Sequence, residues 1–366
     1  MLCMLYNFAP AYREGIFREI DRKWETEWYF GNNDTDINSL DLKILSNASV
    51  LVNKRIYGNW YWQKGATKLS RRKDLSTYFI LGDPYCLSNW ILAIKLRLFH
   101  PRKKLYFWSH GWYGKESRIA RVIKKAFFKL AHGIFLYGNY AKNLMIKEEF
   151  KPDRLFVIHN SLNYTYQIEI RKKIKKSEIY KQHFNNDFPV LIFIGRLTAV
   201  KRLDILLQAT KALKEANNPI NVVLVGSGSQ QEELIKLTTD LELSESVWFY
   251  GACYDDIRNA ELIYNADLCV APGNVGLTAI HSMVFGTPVI SHSDFKWQMP
   301  EFEAIKPNLT GNFFERNNVD NLVEVITNWL KQHPQRDAVR QACFDEIDSS
   351  WNPNYQMDVL MKFLKV

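Results

Sequence analysis

PGNVGLTAIHSMVFGTP, residues 272–288, follows the apolar run Leu268-Cys269-Val270-Ala271, which reads as a short buried strand. Gly273, Asn274 and Gly276 supply turn chemistry, and Leu277, Thr278, Ala279, Ile280, Met283 and Val284 have the spacing of a helix that starts inside the stretch. The first N–H groups of such a helix have no intrahelical partner, so the turn suits an anion, typically a phosphate. Taken alone, the stretch is equally an ordinary strand-to-helix turn of an α/β sheet. The flanking sequence has to separate the two readings.

Upstream, apolar runs and helical patterns alternate regularly. Strands are expected at 190–194, 222–225, 247–250 and 268–271, with helices at 203–213, 231–237 and 257–264 between them. Short β-rich runs separated by amphipathic helices mean βαβ units and a parallel, doubly wound sheet. The N-terminal half is less regular but similar: a first buried strand lies within residues 1–10, and further strands are expected at 78–81, 105–108 and 134–137. Ligands of such sheets sit outside the carboxyl ends of the strands, so the turns after them are where chemistry is sought. The expected division is an N-terminal domain at 1–170, a charged linker at 171–187 containing RKKIKK, a C-terminal domain at 188–348, and a terminal helix within 349–366 that packs back on the first domain.

The 366 residues suffice for two cores, and 47% hydrophobic content argues against disorder. The net charge of +9 is unevenly divided: residues 1–185 carry 33 Lys and Arg against 16 Asp and Glu, and the remainder 15 against 23. A basic half suits a polyanion, either nucleic acid or the anionic face of a membrane. Neither a helix-turn-helix nor an RNA-binding motif accompanies it, so no nucleic-acid partner is expected. The five cysteines form no C-x-x-C pair and lie mostly in apolar runs, which fits reduced core thiols. No apolar stretch approaches the roughly 20 residues of a spanning helix. The expectation is a cytoplasmic chain that can rest on the inner face of the cytoplasmic membrane.

Three constellations carry possible chemistry. Gly195-Arg196-Leu197 follows the strand at 190–194, with Lys201 and Arg202 at the start of the next helix; such cations can meet a diphosphate or simply solvate a surface. Gly226-Ser227-Gly228 follows the next strand. In the first half, Trp108-Ser109-His110-Gly111 follows a strand, and Arg13-Glu14-Gly15 follows the first one. Asp34-Thr35-Asp36 has the form of a metal-binding D-x-D but lies in an Asn-rich polar loop whose default is a solvated turn.

In order, FIGRLTAVKRLDILLQA (193–209), VVLVGSGSQQEEL (222–234) and WFYGACYDDIRNAELIYNADLCVAPGNVGLTAIHSMVFGTPVI (248–290) resemble the retaining glycosyltransferases of the GT-B fold, the GT4 family with its "glycosyl transferases group 1" C-terminal domain. The resemblance covers residues 155–330 and extends loosely to the N-terminal half. It implies an α/β protein of two Rossmann-like doubly wound domains facing a central cleft. It also implies transfer of a sugar from a nucleoside-diphosphate sugar, a UDP-sugar foremost, to a saccharide or lipid-linked saccharide in bacterial surface polysaccharide synthesis, without a metal ion or other cofactor. Arg196 and Lys201 would hold the diphosphate, with the N–H groups of Gly276, Leu277 and Thr278 completing the anion site. The base would lie near residues 251–254, against Tyr250 or Tyr254. His110 would face the transferred sugar, and Gly15 would lie close to the diphosphate.

One departure is plain. The family carries two Glu separated by seven residues, and Gly273 and His281 stand at those positions. His281 can still reach a ribose hydroxyl through a ring nitrogen, or be a satisfied core histidine; Asn274 could reach the donor sugar in place of the first carboxylate. The loss keeps open a catalytically silent sugar-nucleotide-binding subunit, beside a GT-B nucleotide-sugar epimerase. Finally, RIARVIKKAFFKLAH (118–132) places Ile119, Val122, Ile123, Ala126, Phe127 and Leu130 on one helical face. That face is expected on the first sheet, with the basic side in solvent or on anionic lipid.

Overall fold

The computed structural model describes residues 1–35 and 37–366 and falls into two compact units, Met1–Asn163 with Asn352–Val366, and Tyr164–Trp351.

The first unit is built on strands β1 (Leu2–Tyr6), β2 (Thr26–Gly31), β3 (Ala48–Tyr57), β4 (Trp60–Lys64), β5 (Thr77–Leu81), β6 (Lys104–Ser109), β7 (Gly133–Leu136) and β8 (Leu155–Val157). They form one sheet in the order β4-β3-β2-β1-β5-β6-β7-β8, parallel except for the antiparallel β3–β4 pair. The hairpin turns on Gly58, at φ +54°, where a side chain would be strained. Helices α1 (Glu14–Lys23), α2 (Leu87–Phe99), α3 (Arg118–Phe128) and α4 (Asn139–Lys147) complete the crossovers. Period-2 alternation divides the core into two layers. Tyr78, Ile80 and Phe107 face one, while Phe79 and Trp108 face the other with Trp28, Phe30 and Phe135. Phe107 stacks on Phe127 at 4.5 Å and Phe79 on Trp108 at 5.3 Å.

The second unit contains α5 (Tyr164–Lys173), α6 (Ile179–Phe184), β9 (Val190–Ile194), α7 (Leu203–Glu215), β10 (Asn221–Val225), α8 (Gln231–Asp240), β11 (Val247–Gly251), α9 (Asp256–Asn265), β12 (Leu268–Ala271), α10 (Thr278–Val284), β13 (Val289–His292), β14 (Gly311–Phe314), α11 (Val319–Gln332) and α12 (Asp337–Ser350). The sheet is fully parallel, in the order β11-β10-β9-β12-β13-β14. Strand order therefore reverses between β9 and β12, the topological switch point at which such sheets bind ligands. All four strands expected here from the sequence are present, and β13 and β14 are additional.

Three expectations require correction. Residues 171–187 are not a linker: α5 and α6 lie within them or overlap them, and Arg171 of the basic run pairs with Asp348 at 2.6 Å inside the second unit. The division falls at 163/164 instead of 170/171. In α3 the supposed buried face is largely in solvent, with Ile119 74% and Val122 69% exposed; only Phe127 and Phe128 are buried, because the helix touches the core at its C-terminal end alone. Of the D-x-D, Asp36 lies outside the described residues.

The last helix, α13 (Pro353–Phe363), belongs to the first unit, with Met357, Leu360 and Leu364 in its core. Pro353 at its first position and the Asn352 side chain accepting from Tyr355 N–H start it. Fully buried Gln356 fixes it: its Nε2 donates to His159 O (3.0 Å) and its Oε1 accepts from Ser161 Oγ (2.6 Å). Gln356→Leu leaves both groups without that partner and is expected to cost about 1–3 kcal/mol in urea denaturation.

Candidate active site

In the second unit, the turns after β9 and β12 lie side by side at the switch point. Gly273 N–H donates to Lys201 O (2.9 Å) and Asn274 N–H to Val200 O (3.3 Å). Lys201 Nζ returns to Asn274, donating to its backbone oxygen at 2.7 Å and its Oδ1 at 2.8 Å. From β13's side Gln298 holds the same loop: Oε1 accepts from Val275 N–H (2.9 Å), and Nε2 donates to Ser291 Oγ (2.8 Å) and His292 O (2.9 Å). Thr278 Oγ1 donates to Ile194 O at 2.8 Å, pinning the start of α10 to the end of β9.

The first bonds of the α10 turn run from Ala279 N–H to Gly276 O (3.1 Å) and from His281 N–H to Leu277 O (2.9 Å). The N–H groups of Gly276, Leu277 and Thr278 precede them and are the donors that helix geometry leaves over. A side chain at Gly276, where φ is +53°, would begin 3.9 Å from Lys201 Nζ, so the ammonium and these amides border one space. Arg196 is exposed, and among the described residues no hydrogen bond or ion pair engages its side chain, whereas Arg202 is turned away onto Asp204 (2.8 Å) and Asn317. Lys201 is different. Burial pushes its pKa down to about 8, with Arg196 acting in the same direction against the opposing charge of Glu301.

The sequence-derived residues thus divide. Arg196, Lys201, Asn274, Gly276, Leu277 and Thr278 are brought together, though Asn274 spends its side-chain oxygen on Lys201. His281 faces Phe285 at 5.9 Å, and burial holds its imidazole down at about 4, so it is neutral at physiological pH. Gly273 cannot stand in for a family member with a carboxylate there, because a Cβ would overlap the Val200 carbonyl oxygen and lie 2.7 Å from the Lys201 backbone. Gln298 and buried Glu301 were missed. Both lie in KWQMPEFEA (296–304), a stretch whose sequence has no motif spacing.

The first unit has its own site at the carboxyl ends of β1, β5, β6 and β7, a cavity of about 590 Å³ bordered by Tyr6, Arg13, Asp83, His110, Glu116 and Tyr137. His110 packs on Tyr137 at 4.6 Å; burial, Arg13 and Lys124 push its pKa down to about 4, and its buried Nδ1 has no partner among the described residues. Glu116 and Lys124 form a buried pair at 2.7 Å, and Glu116 also accepts from Tyr113 and Gly114 N–H, which ties down the loop after β6. Gly15 is not a turn residue here. It occupies the first turn of α1, where a Cβ would begin 3.1 Å from Pro353 of α13. The residue of that segment that reaches the cavity is Arg13.

Two Rossmann-like domains of this construction define the GT-B class. Over essentially its full length the chain matches the Anabaena protein Alr3699/HepE in complex with UDP (TM-score 0.74, 15% identity, 99% of this chain and 98% of that one). It likewise matches the apo form of the lipopolysaccharide outer core galactosyltransferase WaaB (TM-score 0.73, 14% identity, 100% of both). Residues 175–344 match the family described as "Glycosyl transferases group 1". The sequence is 26% identical over 208 residues to the uncharacterized glycosyltransferase MJ1607 of Methanocaldococcus jannaschii, covering 53% of this chain and 52% of that protein. Over 192 residues it is 23% identical to the poly(ribitol-phosphate) alpha-N-acetylglucosaminyltransferase of Staphylococcus aureus, covering 51% and 34%. The chain thus spans about half the length of the first of these relatives and about a third of the second. Among the described residues no helix is long and apolar enough to cross a membrane.

Gly273→Glu would restore the family's first carboxylate on paper. Because its Cβ would overlap the 200–201 backbone, it is expected to destabilise the second unit by about 3 kcal/mol or more in chemical denaturation.

Proposed function

We propose that this chain is a retaining glycosyltransferase that moves a sugar from a nucleoside-diphosphate sugar, a UDP-sugar foremost, to a saccharide or lipid-linked saccharide acceptor in bacterial surface polysaccharide synthesis. The observation that carries it is the anion-ready crevice at the β9/β12 switch point. There an exposed Arg196, a partly desolvated Lys201 and the leading N–H groups of α10 border one space. The UDP bound to the Anabaena structural neighbour and the glycan names of the relatives support the same reading.

In this reading Arg196 offers a planar fork and Lys201 a point charge to the diphosphate. As the bond between the sugar carbon and the diphosphate oxygen breaks, negative charge grows on the leaving group, and these fixed donors stabilise it without reorganising. His281, neutral, accepts or donates one hydrogen bond to the ribose. The donor role falls to the second unit and the acceptor role to the first, with neutral His110 as a hydrogen-bonding contact to the transferred sugar. No metal ion takes part.

Thermal stabilisation by a panel of UDP-, GDP-, ADP- and CMP-sugars tests the donor site. One nucleotide class is expected to stabilise the wild type, with the shift lost in Arg196→Ala and Lys201→Ala; no response to any of them overturns the proposal. Selective binding without sugar transfer in any acceptor screen would instead mark a silent nucleotide-binding subunit. Turnover is expected to survive EDTA.

The ammonium of Lys201 is present below a pKa of about 8 and lost above it, so affinity for a nucleoside diphosphate is expected to fall as pH rises. From pH 7 to 9 the charged fraction drops about tenfold, and Kd is expected to rise by up to that factor. Lys201→Met flattens the profile if the assignment holds.

The exposed Ile119 and Val122 of α3, beside Arg118 and Arg121, support contact with an anionic bilayer, an apolar edge with cations flanking it. Sedimentation with phosphatidylglycerol vesicles but not phosphatidylcholine vesicles is expected, lost in the Ile119→Asp, Val122→Asp double variant.

A further inference from the structure

Arg13 is 5% exposed, yet among the described residues it has no carboxylate partner. Its guanidinium is held by an aromatic box, 4.7 Å from the Trp108 ring, 5.2 Å from Tyr137, 5.5 Å from Tyr6 and 5.7 Å from Tyr12, and one arm donates to Tyr137 Oη. The other arm, Nη1, is buried without a partner among the described residues. So is the hydroxyl of Tyr6, 2% exposed, and so is Nδ1 of His110. All three residues border the same 590 Å³ cavity, a volume within the range of small-molecule sites.

A buried guanidinium facing only aromatic rings and tyrosine hydroxyls is costly unless a negative charge completes it, and an unsatisfied donor adds to that cost. The cavity's own acids do not serve. Glu116 is spent on Lys124 and two backbone N–H groups. Asp83 accepts from the Tyr61 hydroxyl (3.1 Å) and Tyr85 N–H (3.0 Å), and it is not among the charges acting on Arg13. What is missing is an anionic group to meet Arg13 Nη1 and the Tyr6 hydroxyl, beside a sugar hydroxyl for His110 Nδ1.

We propose that the first-unit cavity selects an anionic acceptor, a saccharide bearing a phosphate or a carboxylate, and that Arg13 Nη1 and Tyr6 Oη receive the anionic group while His110 Nδ1 meets a sugar hydroxyl. This rests on the acceptor role given to the first unit above. The aromatic box fixes the guanidinium plane before the ligand arrives, so little side-chain entropy is lost on binding.

The test is titration calorimetry of the intact chain with glucose 6-phosphate, glucuronate, inorganic phosphate and glucose, with saturating UDP present so that the donor crevice is filled. At least one charged sugar is expected to bind roughly tenfold or more tighter than glucose, with the gap removed in Arg13→Gln. Preference for the phosphate over the carboxylate probe, or the reverse, names the anion. Tyr6→Phe removes a hydroxyl that the fold leaves unbonded. It should therefore keep the wild-type Tm while weakening the charged sugar several-fold, which keeps the test decisive if Arg13→Gln fails to fold. Equal binding of glucose and the charged sugars, no binding of any charged probe, or an unchanged gap in a folded Arg13→Gln overturns the proposal. Loss of UDP affinity in Arg13→Gln also overturns it, since Arg13 would then serve the donor. If the wild type binds UDP but fails to discriminate charge, the acceptor inference alone falls; if no nucleotide binds, the donor reading falls.

Discussion

The second unit depends on a reciprocal lock between two turns. The backbone after β12 docks on the backbone after β9 through Gly273 and Asn274, and Lys201 closes the exchange by returning its four-carbon side chain to Asn274. Backbone-to-backbone contact this close is possible only at a residue without Cβ. The same contact brings a cation from one turn against the helix start of the other. The ammonium is partly stripped of water as a result, and its hydrogen bonds go to neutral oxygens, with Glu301 acting on it only at longer range. A charge kept under such conditions interacts more strongly with an arriving anion than a solvated one does, because little water intervenes.

How much of this was legible beforehand follows from the reach of each interaction. The parallel sheet of the second unit was readable because β9, β10 and β12 are buried on both faces and so become continuous apolar runs, and because β11, half-buried at the edge, is still apolar and closed by Gly251. The turns were readable because glycine and asparagine announce them. By contrast, β3 is exposed along much of its ten residues and has no clean alternation to find, and β14 is only four residues long. The misreading of α3 has a related cause. Helical periodicity shows which residues share a face but not whether anything covers it, and here Lys124 turns inward to Glu116 while Ile119 and Val122 meet solvent. Arg13 lay in a segment already singled out, but glycine drew the attention, since nothing local marks an arginine whose neighbours come from Tyr6, Trp108 and Tyr137. Gln298 and Glu301 are the same case: their importance comes wholly from the third dimension.

The two units solve the problem of a polar site in a packed core in opposite ways. In the second, the polar atoms around the crevice are backbone N–H groups beside the Arg196 and Lys201 cations, on turns held by Gln298 and Thr278. In the first, they stand on large aromatic residues whose ring faces supply the wall: Tyr6 and Trp108 meet at 6.1 Å and Trp108 and Tyr137 at 6.0 Å. Aromatic walls present an apolar face and a polar rim together, which suits the alternating C–H faces and hydroxyl edges of a sugar ring.

The return of α13 to the first unit also bears on how the chain is made. Residues 352–366 leave the ribosome after all of 164–351, so the second unit has its whole sequence available while the first still lacks the helix that carries Met357 and Leu360 into its core. During that interval the pocket that α13 fills, lined by residues such as Ile16 and Phe17, is open to water or to other chains. The order of maturation is thereby the reverse of the order of synthesis: the domain translated first is the one finished last, and the walls around its cavity acquire their final packing only once the last turn of helix has been delivered.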